Sequence, residues 1–282
     1  MNVGELSRWI LSKLTPSYGE SEARSMSRII MEDVLNYTPV QVIMNSDMDV
    51  PDFIPEKING IVNRILANQP IQYVMGEARF CGLSLKVTPA VLIPRPETEE
   101  LVDLIIKQWS TVPDIKVLDV CTGSGCIAVA LARGLRFPHL TAIDISTEAL
   151  SVAKENASGL KVRIDFQQAD ALNLPPAKGR FDIIVSNPPY IAEHERADMP
   201  ANVIGHEPDL ALFVPDNDPL KFYSAISRYA IDALTERGTL YFEINPLFTH
   251  DLEQMLRHTG FNNITIMADM YGKQRFAIIK RN

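Results

Sequence analysis

The sequence predicts an α/β fold in which a small helical domain precedes a mostly parallel β-sheet. Two observations lead to this prediction. From about residue 97 onward, apolar runs with the length of strands alternate with helical segments, a pattern typical of a parallel sheet covered by helices. The last two apolar runs, residues 263–267 and 275–279, have no helix between them, so we expect an antiparallel hairpin at one sheet edge.

The first 70 residues predict a helical domain. Apolar side chains recur at helical spacing within residues 6–14, 23–35 and 58–66. A loop with two prolines is expected over residues 36–52.

A short linker and the main domain follow. Residues 71–96 alternate apolar and polar side chains around glycines, which predicts a β-hairpin linker. Its end is marked by Pro94 and Pro96, and the acidic residues behind them favour a helix start. We therefore expect residues 97–282 to form the α/β domain, beginning with a helix that ends at about Trp109.

A glycine loop follows the first predicted strand of the sheet. Residues 116–120 predict a strand and residues 126–132 a helix, and the loop between them consists of Cys121, Thr122, Gly123, Ser124 and Gly125. Strand, glycine loop and helix form the nucleotide-binding turn of doubly wound sheets, because the glycines let the backbone turn sharply and approach a ligand. This sequence therefore predicts a nucleotide-like cofactor.

The next predicted strand, residues 140–144, ends in Asp144. An acid about 20 residues after the first glycine is expected to bind the ribose of the cofactor. Further along, Asp170 and Ala171 are expected beside the adenine. NAD and S-adenosylmethionine both contain adenosine, so these residues do not distinguish the two.

Residues 187–190, Asn-Pro-Pro-Tyr, carry the most specific prediction. They follow residues 181–186, an apolar run typical of a buried strand. Prolines donate no backbone hydrogen bond, so the Asn187 carboxamide and the Pro188 carbonyl can accept the two N–H groups of a planar nitrogen, while the Tyr190 ring stacks on it. The alternative is a simple turn after a strand. Since no hydride-acceptor pocket of a dehydrogenase is recognisable, the two motifs together favour methyl transfer from S-adenosylmethionine to an amide or amine nitrogen.

The rest of the chain completes the alternating pattern. The polar, proline-rich stretch 191–219 is long for a connection and predicts a lid or substrate-binding loop. The remaining expected elements are helices over 148–157, 220–235 and 247–258 and strands over 161–166 and 239–244.

The amino-acid composition and net charge of the chain disfavour several classes of protein. The chain has 282 residues, 46% of them hydrophobic and 22% charged, and a net charge of −8, which disfavours a nucleic-acid substrate. Only three cysteines occur and no pair has CxxC spacing, so we expect reduced thiols in a cytoplasmic protein. The histidines show no metal-ligand spacing, and neither a membrane span nor a signal peptide is expected.

Together these motifs resemble the PrmC/HemK family, the peptide chain release factor glutamine methyltransferases. The resemblance extends over residues 70–279. Its specific segments are residues 70–76, 80–83, 93–99 (Ile-Pro-Arg-Pro-Glu-Thr-Glu), 121–128, 187–191 and 207–213. Adenine-N6 DNA methyltransferases share Asn-Pro-Pro-Tyr but lack the Ile-Pro-Arg-Pro-Glu-Thr-Glu segment.

The resemblance implies a Rossmann-like class I methyltransferase domain that uses S-adenosyl-L-methionine and releases S-adenosyl-L-homocysteine. The implied substrate is the glutamine of the Gly-Gly-Gln loop in free peptide chain release factors, with residues 1–70 as the docking domain. We expect a monomer without nucleic-acid or membrane partners.

The expected site residues fall into three groups. Catalysis is assigned to Asn187, Pro188 and Tyr190, and substrate binding to these and Pro189. Cofactor binding is assigned to the loop 121–125 and to Asp144, Asp170, Ala171 and Asn187, and Phe80, Pro94, Arg95 and Thr98 are expected to line or brace the cleft.

Three alternatives remain open: methylation of a ribosomal-protein glutamine, adenine-N6 methylation of nucleic acid, and a non-enzymatic module that binds S-adenosylmethionine. Two residues depart from the family pattern. Asn245 stands where glycine is usual and Gln274 where aspartate is common. Both are far in sequence from residues 187–190, so we expect local changes of loop geometry and intact chemistry.

Overall fold

A computed structural model of the chain describes residues 1–281. Its internal contacts define two compact units. The first consists of residues 1–76 with 201–206, and the second of residues 77–200 with the chain from residue 207 onward. Among the described residues, no helix is long and apolar enough to cross a membrane.

The first unit is helical, as predicted. Its helices are α1 (Val3–Leu35), α2 (Pro39–Met44), α3 (Phe53–Leu66) and α4 (Ile71–Met75). Gly19 interrupts α1 with a φ of 74° and a ψ of 167°, so the two helices expected within residues 6–35 lie on either side of this kink. Fully buried side chains such as Leu6, Ile10 and Ile58 form the core of the unit.

Two expectations for this unit are wrong in detail. The stretch 36–52, expected to be a loop, contains α2, because Thr38 caps the helix, Pro39 stands at its first position and Gln41 completes a capping box. Residues 71–75, expected to belong to the hairpin linker, form α4, which ends at Gly76 in the left-handed conformation.

The second unit begins with the predicted hairpin. Strands β1 (Glu77–Phe80) and β2 (Leu83–Lys86) pair antiparallel. The two residues between them, Cys81 and Gly82, have φ values of 47° and 71°. Positive φ at both positions is typical of the tight turn that suits the twist of a hairpin.

The remaining elements form a seven-stranded sheet, a separate pair of two-residue strands and flanking helices. In chain order they are α5 (Pro96–Trp109), β3 (Lys116–Val120), α6 (Cys126–Gly134), β4 (His139–Asp144), α7 (Thr147–Gly159), β5 (Asp165–Gln168), β6 (Phe181–Ser186), β7 (Ile191–Ala192), α8 (Asp209–Leu212), β8 (Phe213–Val214), α9 (Lys221–Ala233), β9 (Leu234–Glu243), α10 (Thr249–Thr259), β10 (Asn263–Ala268) and β11 (Gln274–Lys280). The strand order is β10-β11-β9-β6-β3-β4-β5. Strands β5, β4, β3, β6 and β9 are parallel, and β10 and β11 form an antiparallel hairpin at one edge, so the predicted sheet is confirmed.

Both faces of the sheet are buried. One core cluster contains Val117 with side chains of α5 and α6, and a second contains Leu118 with side chains of α9 and α10. Adjacent residues of β3 thus point to opposite faces, which explains the continuous apolar run.

Two strands differ from the predicted bounds. A strand was expected over residues 161–166, but β5 starts at Asp165. Lys161 has a φ of 57°, and the Val162 amide donates to the Ala157 carbonyl, so this segment ends α7 instead of entering the sheet. Strand β9 starts at Leu234, earlier than the expected 239.

The strand order creates a topological switch point at the carboxyl ends of the parallel strands. Strand β3 has β4 on one side and β6 on the other, and all three end at the same edge. In open α/β sheets the loops at such a point form the ligand-binding crevice. The predicted residues 121–125, Asp144 and 187–190 lie at the ends of β3, β4 and β6 or in the loops that follow them.

Candidate active site

A cavity of about 420 Å³ lies at this edge of the sheet. This volume falls within the range of roughly 300–1,000 Å³ that is usual for small-molecule sites. The predicted site residues that line it are Pro94, Arg95, Thr98, Cys121, Thr122, Gly123, Ser124, Asp144, Asp170, Ala171, Asn187 and Pro189. Residues distant in sequence and predicted for one site therefore meet at one cavity.

The glycine loop forms one wall. A Cβ built on Gly123, where φ is 55°, has no heavy atom within 4 Å, so the backbone there is open to a ligand. Gly125 does not line the cavity. A Cβ at Gly125 would lie 3.0 Å from the Cβ of Ala153, so this glycine permits close packing against α7.

Asp144 lies at the end of β4 and holds the glycine loop. Its Oδ2 accepts a hydrogen bond from the Gly123 amide at 2.8 Å, and its Oδ1 accepts one from the Ser146 amide at 3.0 Å. Burial raises the pKa of Asp144, and the backbone donors oppose this effect. Because each carboxylate oxygen has a second lone pair, Asp144 can still accept hydroxyl groups from a ligand.

Asp170 has a local hydrogen-bonding role as well as a place on the wall. Its Oδ1 accepts from the Leu172 amide at 2.9 Å and its Oδ2 from the Asn173 side chain at 2.7 Å. These bonds fix the turn that brings Ala171 and Leu172 to the cavity.

Asn187 is the first residue after β6 and belongs to a chain of side-chain hydrogen bonds. Its Nδ2 donates to Oγ1 of Thr98 at 3.3 Å, and Thr98 donates to Oε2 of Glu243 at 2.6 Å. The Tyr190 hydroxyl donates to Oε1 of the same carboxylate at 3.1 Å. Burial raises the pKa of Glu243 and that of Tyr190. Within residues 1–281 the Oδ1 of Asn187 accepts no side-chain hydrogen bond.

Three further predicted residues, besides Gly125, are not on the cavity wall. Pro188 is buried, and the Tyr190 ring packs against the core cluster that contains Leu118. The stacking role assigned to Tyr190 stays a prediction. Phe80 is fully buried in the core cluster that contains Val117, so it lies behind the wall instead of forming it.

A partly buried ion pair connects two parts of the wall. The Arg95 guanidinium pairs with Glu207, and the other Glu207 oxygen accepts from the Ile93 amide at 3.1 Å. The Glu207 side chain is 1% exposed. It therefore anchors the segment that brings Pro208 and Leu210 to the cavity.

Two buried acids near the site, Glu243 and Asp119, were not predicted from the sequence. Asp119 is fully buried at the second-last position of β3, and its Oδ2 accepts from the Thr122 hydroxyl at 2.6 Å. Its Oδ1 has no partner among the described residues, and burial raises the pKa of Asp119 to about 7. An acid inside an apolar strand was a visible anomaly in the sequence.

One of the two departures from the family pattern lies closer to the site than expected. Asn245 Nδ2 donates to the Tyr190 carbonyl at 3.1 Å and to Oε1 of Glu195 at 2.8 Å. Asn245, although far in sequence, thus contacts the Asn-Pro-Pro-Tyr segment directly. Gln274 is the exposed first residue of β11.

The cavity lining fits an adenosine-containing cofactor. The cavity wall is mainly apolar, the backbone at Gly123 is accessible, and Asp144 presents a fixed carboxylate. Loop 121–124, Asp144 and the turn at 170–171 are the groups that would hold S-adenosylmethionine.

Two family models match the chain. Residues 5–76 match the PrmC N-terminal domain, and residues 117–204 match a methyltransferase domain. Among solved structures, the ribosomal protein L11 methylase of Lactobacillus delbrueckii subsp. bulgaricus has a TM-score of 0.51 and 24% identity over 70% of this chain and 85% of its own. A methyltransferase from Pyrococcus furiosus has a TM-score of 0.52 and 17% identity over 77% of this chain and 95% of its own. These structures share the class I methyltransferase fold with this chain.

Relatives found by sequence share a higher sequence identity with this chain than these solved structures do. The release factor glutamine methyltransferase of Bacteroides thetaiotaomicron is 39% identical over 281 residues, which cover 99% of this chain and 100% of the relative. That of Flavobacterium psychrophilum is 39% identical over 265 residues, 93% of each chain. The chain therefore belongs to the release factor glutamine methyltransferase family.

Proposed function

We propose that the protein transfers a methyl group from S-adenosylmethionine to the side-chain amide nitrogen of the glutamine in the Gly-Gly-Gln loop of peptide chain release factors. The observation that carries this proposal is the place of Asn187. Asn187 lines the same cavity as the glycine loop and Asp144, and within residues 1–281 its carboxamide oxygen accepts no side-chain hydrogen bond.

The glutamine amide needs a hydrogen-bond acceptor such as the Asn187 oxygen because its nitrogen is a poor nucleophile. Its lone pair is delocalised into the carbonyl, the same resonance that gives a peptide bond its rotational barrier of ~18–20 kcal/mol. S-adenosylmethionine supplies a methyl group on a positively charged sulfur, which leaves as a neutral thioether. The chain's task is to hold the glutamine amide with its lone pair directed at that methyl group.

Asn187 would hold the amide, and the carbonyl of Pro188, a residue that does not itself line the cavity, is the second acceptor expected from the sequence. The Asn187 Oδ1 accepts one N–H and the Pro188 carbonyl the other, and both bonds strengthen as the nitrogen gains positive charge. The methylated nitrogen then loses one proton to water, so no strong base is required. Positioning supplies most of the acceleration, for which ~7–11 kcal/mol is attainable in well-aligned systems.

The helical N-terminal unit has a separate role in this proposal. None of its residues lines the cavity in the second unit. We assign it, as expected for residues 1–70, to docking of the release factor, and residues 71–96 to the connection with the methyltransferase domain of residues 97–282.

Labelled-methyl transfer tests the proposal. A purified release factor is incubated with the protein and S-adenosylmethionine labelled in the methyl group, beside a release factor whose Gly-Gly-Gln glutamine is replaced by alanine. Label should enter the first and not the second. Equal labelling of both, or labelling of ribosomal proteins alone, would contradict the proposal.

A further inference from the structure

A buried hydroxyl and a buried carboxylate, those of Thr98 and Glu243, are linked to Asn187 by hydrogen bonds. We propose that Glu243, acting through Thr98, is a positioning residue that turns the Oδ1 of Asn187 toward the substrate amide. This inference rests on the proposed function, because it concerns the acceptor that the glutamine N–H requires.

The number of hydrogens on Thr98 and Glu243 decides which of the two groups donates. A threonine hydroxyl has one hydrogen to donate, and an ionised carboxylate can only accept. Thr98 and Glu243 are separated by 2.6 Å, a short distance typical of a hydroxyl that donates to a carboxylate. The hydrogen of Thr98 is thereby committed to Glu243, and only lone pairs remain to face Asn187.

Because Thr98 presents only lone pairs to Asn187, the Asn187 carboxamide can form a hydrogen bond with it in one orientation only. The group of Asn187 that lies 3.3 Å from Thr98 must be a donor, so it is the NH₂ group. The opposite end of the carboxamide is the oxygen, which is left for the substrate. In the reversed orientation the NH₂ of Asn187 would meet the N–H of the glutamine amide, and two donors would oppose each other.

The hydrogen bond between Thr98 and Glu243 is shielded from water and from other side chains. Thr98 is 2% exposed and Glu243 1% exposed, so bulk water does not reach their hydrogen bond. The other carboxylate oxygen of Glu243 is taken by the Tyr190 hydroxyl. The Tyr223 hydroxyl contacts Glu243 at the backbone instead of the carboxylate, where it donates to the carbonyl at 3.0 Å.

The bond to Thr98 is the only side-chain hydrogen bond of Asn187 within residues 1–281. Thr98 belongs to the first turn of α5 and Glu243 to the far end of β9, so the orientation of Asn187 depends on two elements that are distant in sequence.

Substitutions of Thr98 test the relay in the full-length protein. Thr98→Val keeps the shape and removes the hydroxyl, whereas Thr98→Ser keeps the hydroxyl. We expect Thr98→Val to lower kcat on a release factor by about tenfold, the effect of one neutral hydrogen bond, with little change in KM or in cofactor affinity by calorimetry. Thr98→Ser should restore most of the lost activity.

A double-mutant cycle separates this role from general support of the fold. On an Asn187→Ala background, Thr98→Val should lower kcat less than twofold further, because there is no carboxamide left to orient. Tyr223→Phe is the matched control, since it removes a buried hydrogen bond to the Glu243 backbone and leaves the carboxylate untouched. It should retain kcat. An equal loss from Thr98→Val on both backgrounds, or a Tyr223→Phe defect as large as that of Thr98→Val, would overturn the proposal.

Nitrogen NMR of the free protein provides a measurement that does not depend on turnover. The side-chain NH₂ resonances of Asn187 are assigned by their loss in Asn187→Ala. They should move in Thr98→Val and in Glu243→Gln and stay in place in Tyr223→Phe. Unmoved resonances in both of the first two variants would overturn the relay. If wild-type protein fails to methylate release factors while these resonances move as expected, the proposed function is wrong and the orientation of Asn187 stands.

Discussion

Replacing Glu207 by alanine should loosen one wall of the cavity and destabilise the second unit. The carboxylate is almost completely buried and accepts from the Ile93 amide, while Arg95, with a side chain that is 33% exposed, pairs with its other oxygen. A buried amide left without an acceptor costs ~1–3 kcal/mol. The partly exposed ion pair adds at most ~1 kcal/mol because solvent screens it. We therefore expect a decrease of about 1–4 kcal/mol in the free energy of unfolding.

Glu207→Gln is the matched control. It keeps an acceptor for the Ile93 amide and loses only the charge, so its decrease should be about 1 kcal/mol. Urea unfolding followed by tryptophan fluorescence measures both variants. The substitution Trp9→Phe in the background leaves Trp109, on α5, as the only tryptophan, and it reports on the second unit.

Substitution of Glu207 should also change the affinity for the cofactor. Because Arg95, Pro208 and Leu210 line the cavity, Glu207→Ala should weaken S-adenosylmethionine binding by calorimetry, and Glu207→Gln should weaken it less. If Glu207→Ala unfolds at the wild-type urea concentration, or if the two variants are equally destabilised, the anchoring role assigned to Glu207 is wrong.

Three further predictions address the cofactor, a buried acid and the N-terminal unit. Asp144→Ala should weaken S-adenosylmethionine binding in calorimetry, because it removes the acceptor expected for the ribose hydroxyls and a bond that holds Gly123; unchanged affinity would contradict the ribose assignment. The pKa of Asp119 is about 7 in the folded protein and near ~3.9 in unfolded chains, so its contribution to stability is complete in acid and is lost as the pH rises through about 7. The stability of Asp119→Asn relative to wild type should therefore increase from about pH 5 to about pH 8 in urea unfolding, and a constant difference would refute the shifted pKa. Removal of residues 1–70 should reduce turnover on a whole release factor far more than on a short Gly-Gly-Gln peptide, and equal losses would mean that these residues only stabilise the fold.

Strong local patterns made most of the fold predictable. Strand β3, its glycine loop and α6 were recognisable because an apolar run, positive-φ glycines and a helical run follow one another without interruption. Strand β5 was misplaced because it is a polar edge strand, and the apolar Val162 and Ile164 before it pack against the core from outside the sheet. Helix α2 was missed since its cap and first proline resemble a loop sequence.

The site was predictable in its residue types and less so in its contacts. The glycine loop, Asp144 and Asn187 come directly after strands, and parallel strands bring such positions to one edge. The Thr98–Glu243 bond joins residues 145 positions apart, and no local pattern pairs them. The same holds for Asn245, whose contact with the Tyr190 carbonyl depends on how β9 ends beside β6.

Tandem mass spectrometry of a methylated release factor tests the central claim most directly. After incubation with the protein and S-adenosylmethionine, the peptide that contains Gly-Gly-Gln should be heavier by one methylene group. Fragmentation should locate the addition on the glutamine side-chain nitrogen, and Asn187→Ala should reduce its rate by about 10²–10³-fold, as for loss of one preorganised hydrogen-bond partner. A methyl group on any other atom, or an unchanged rate with Asn187→Ala at saturating cofactor, would contradict the account.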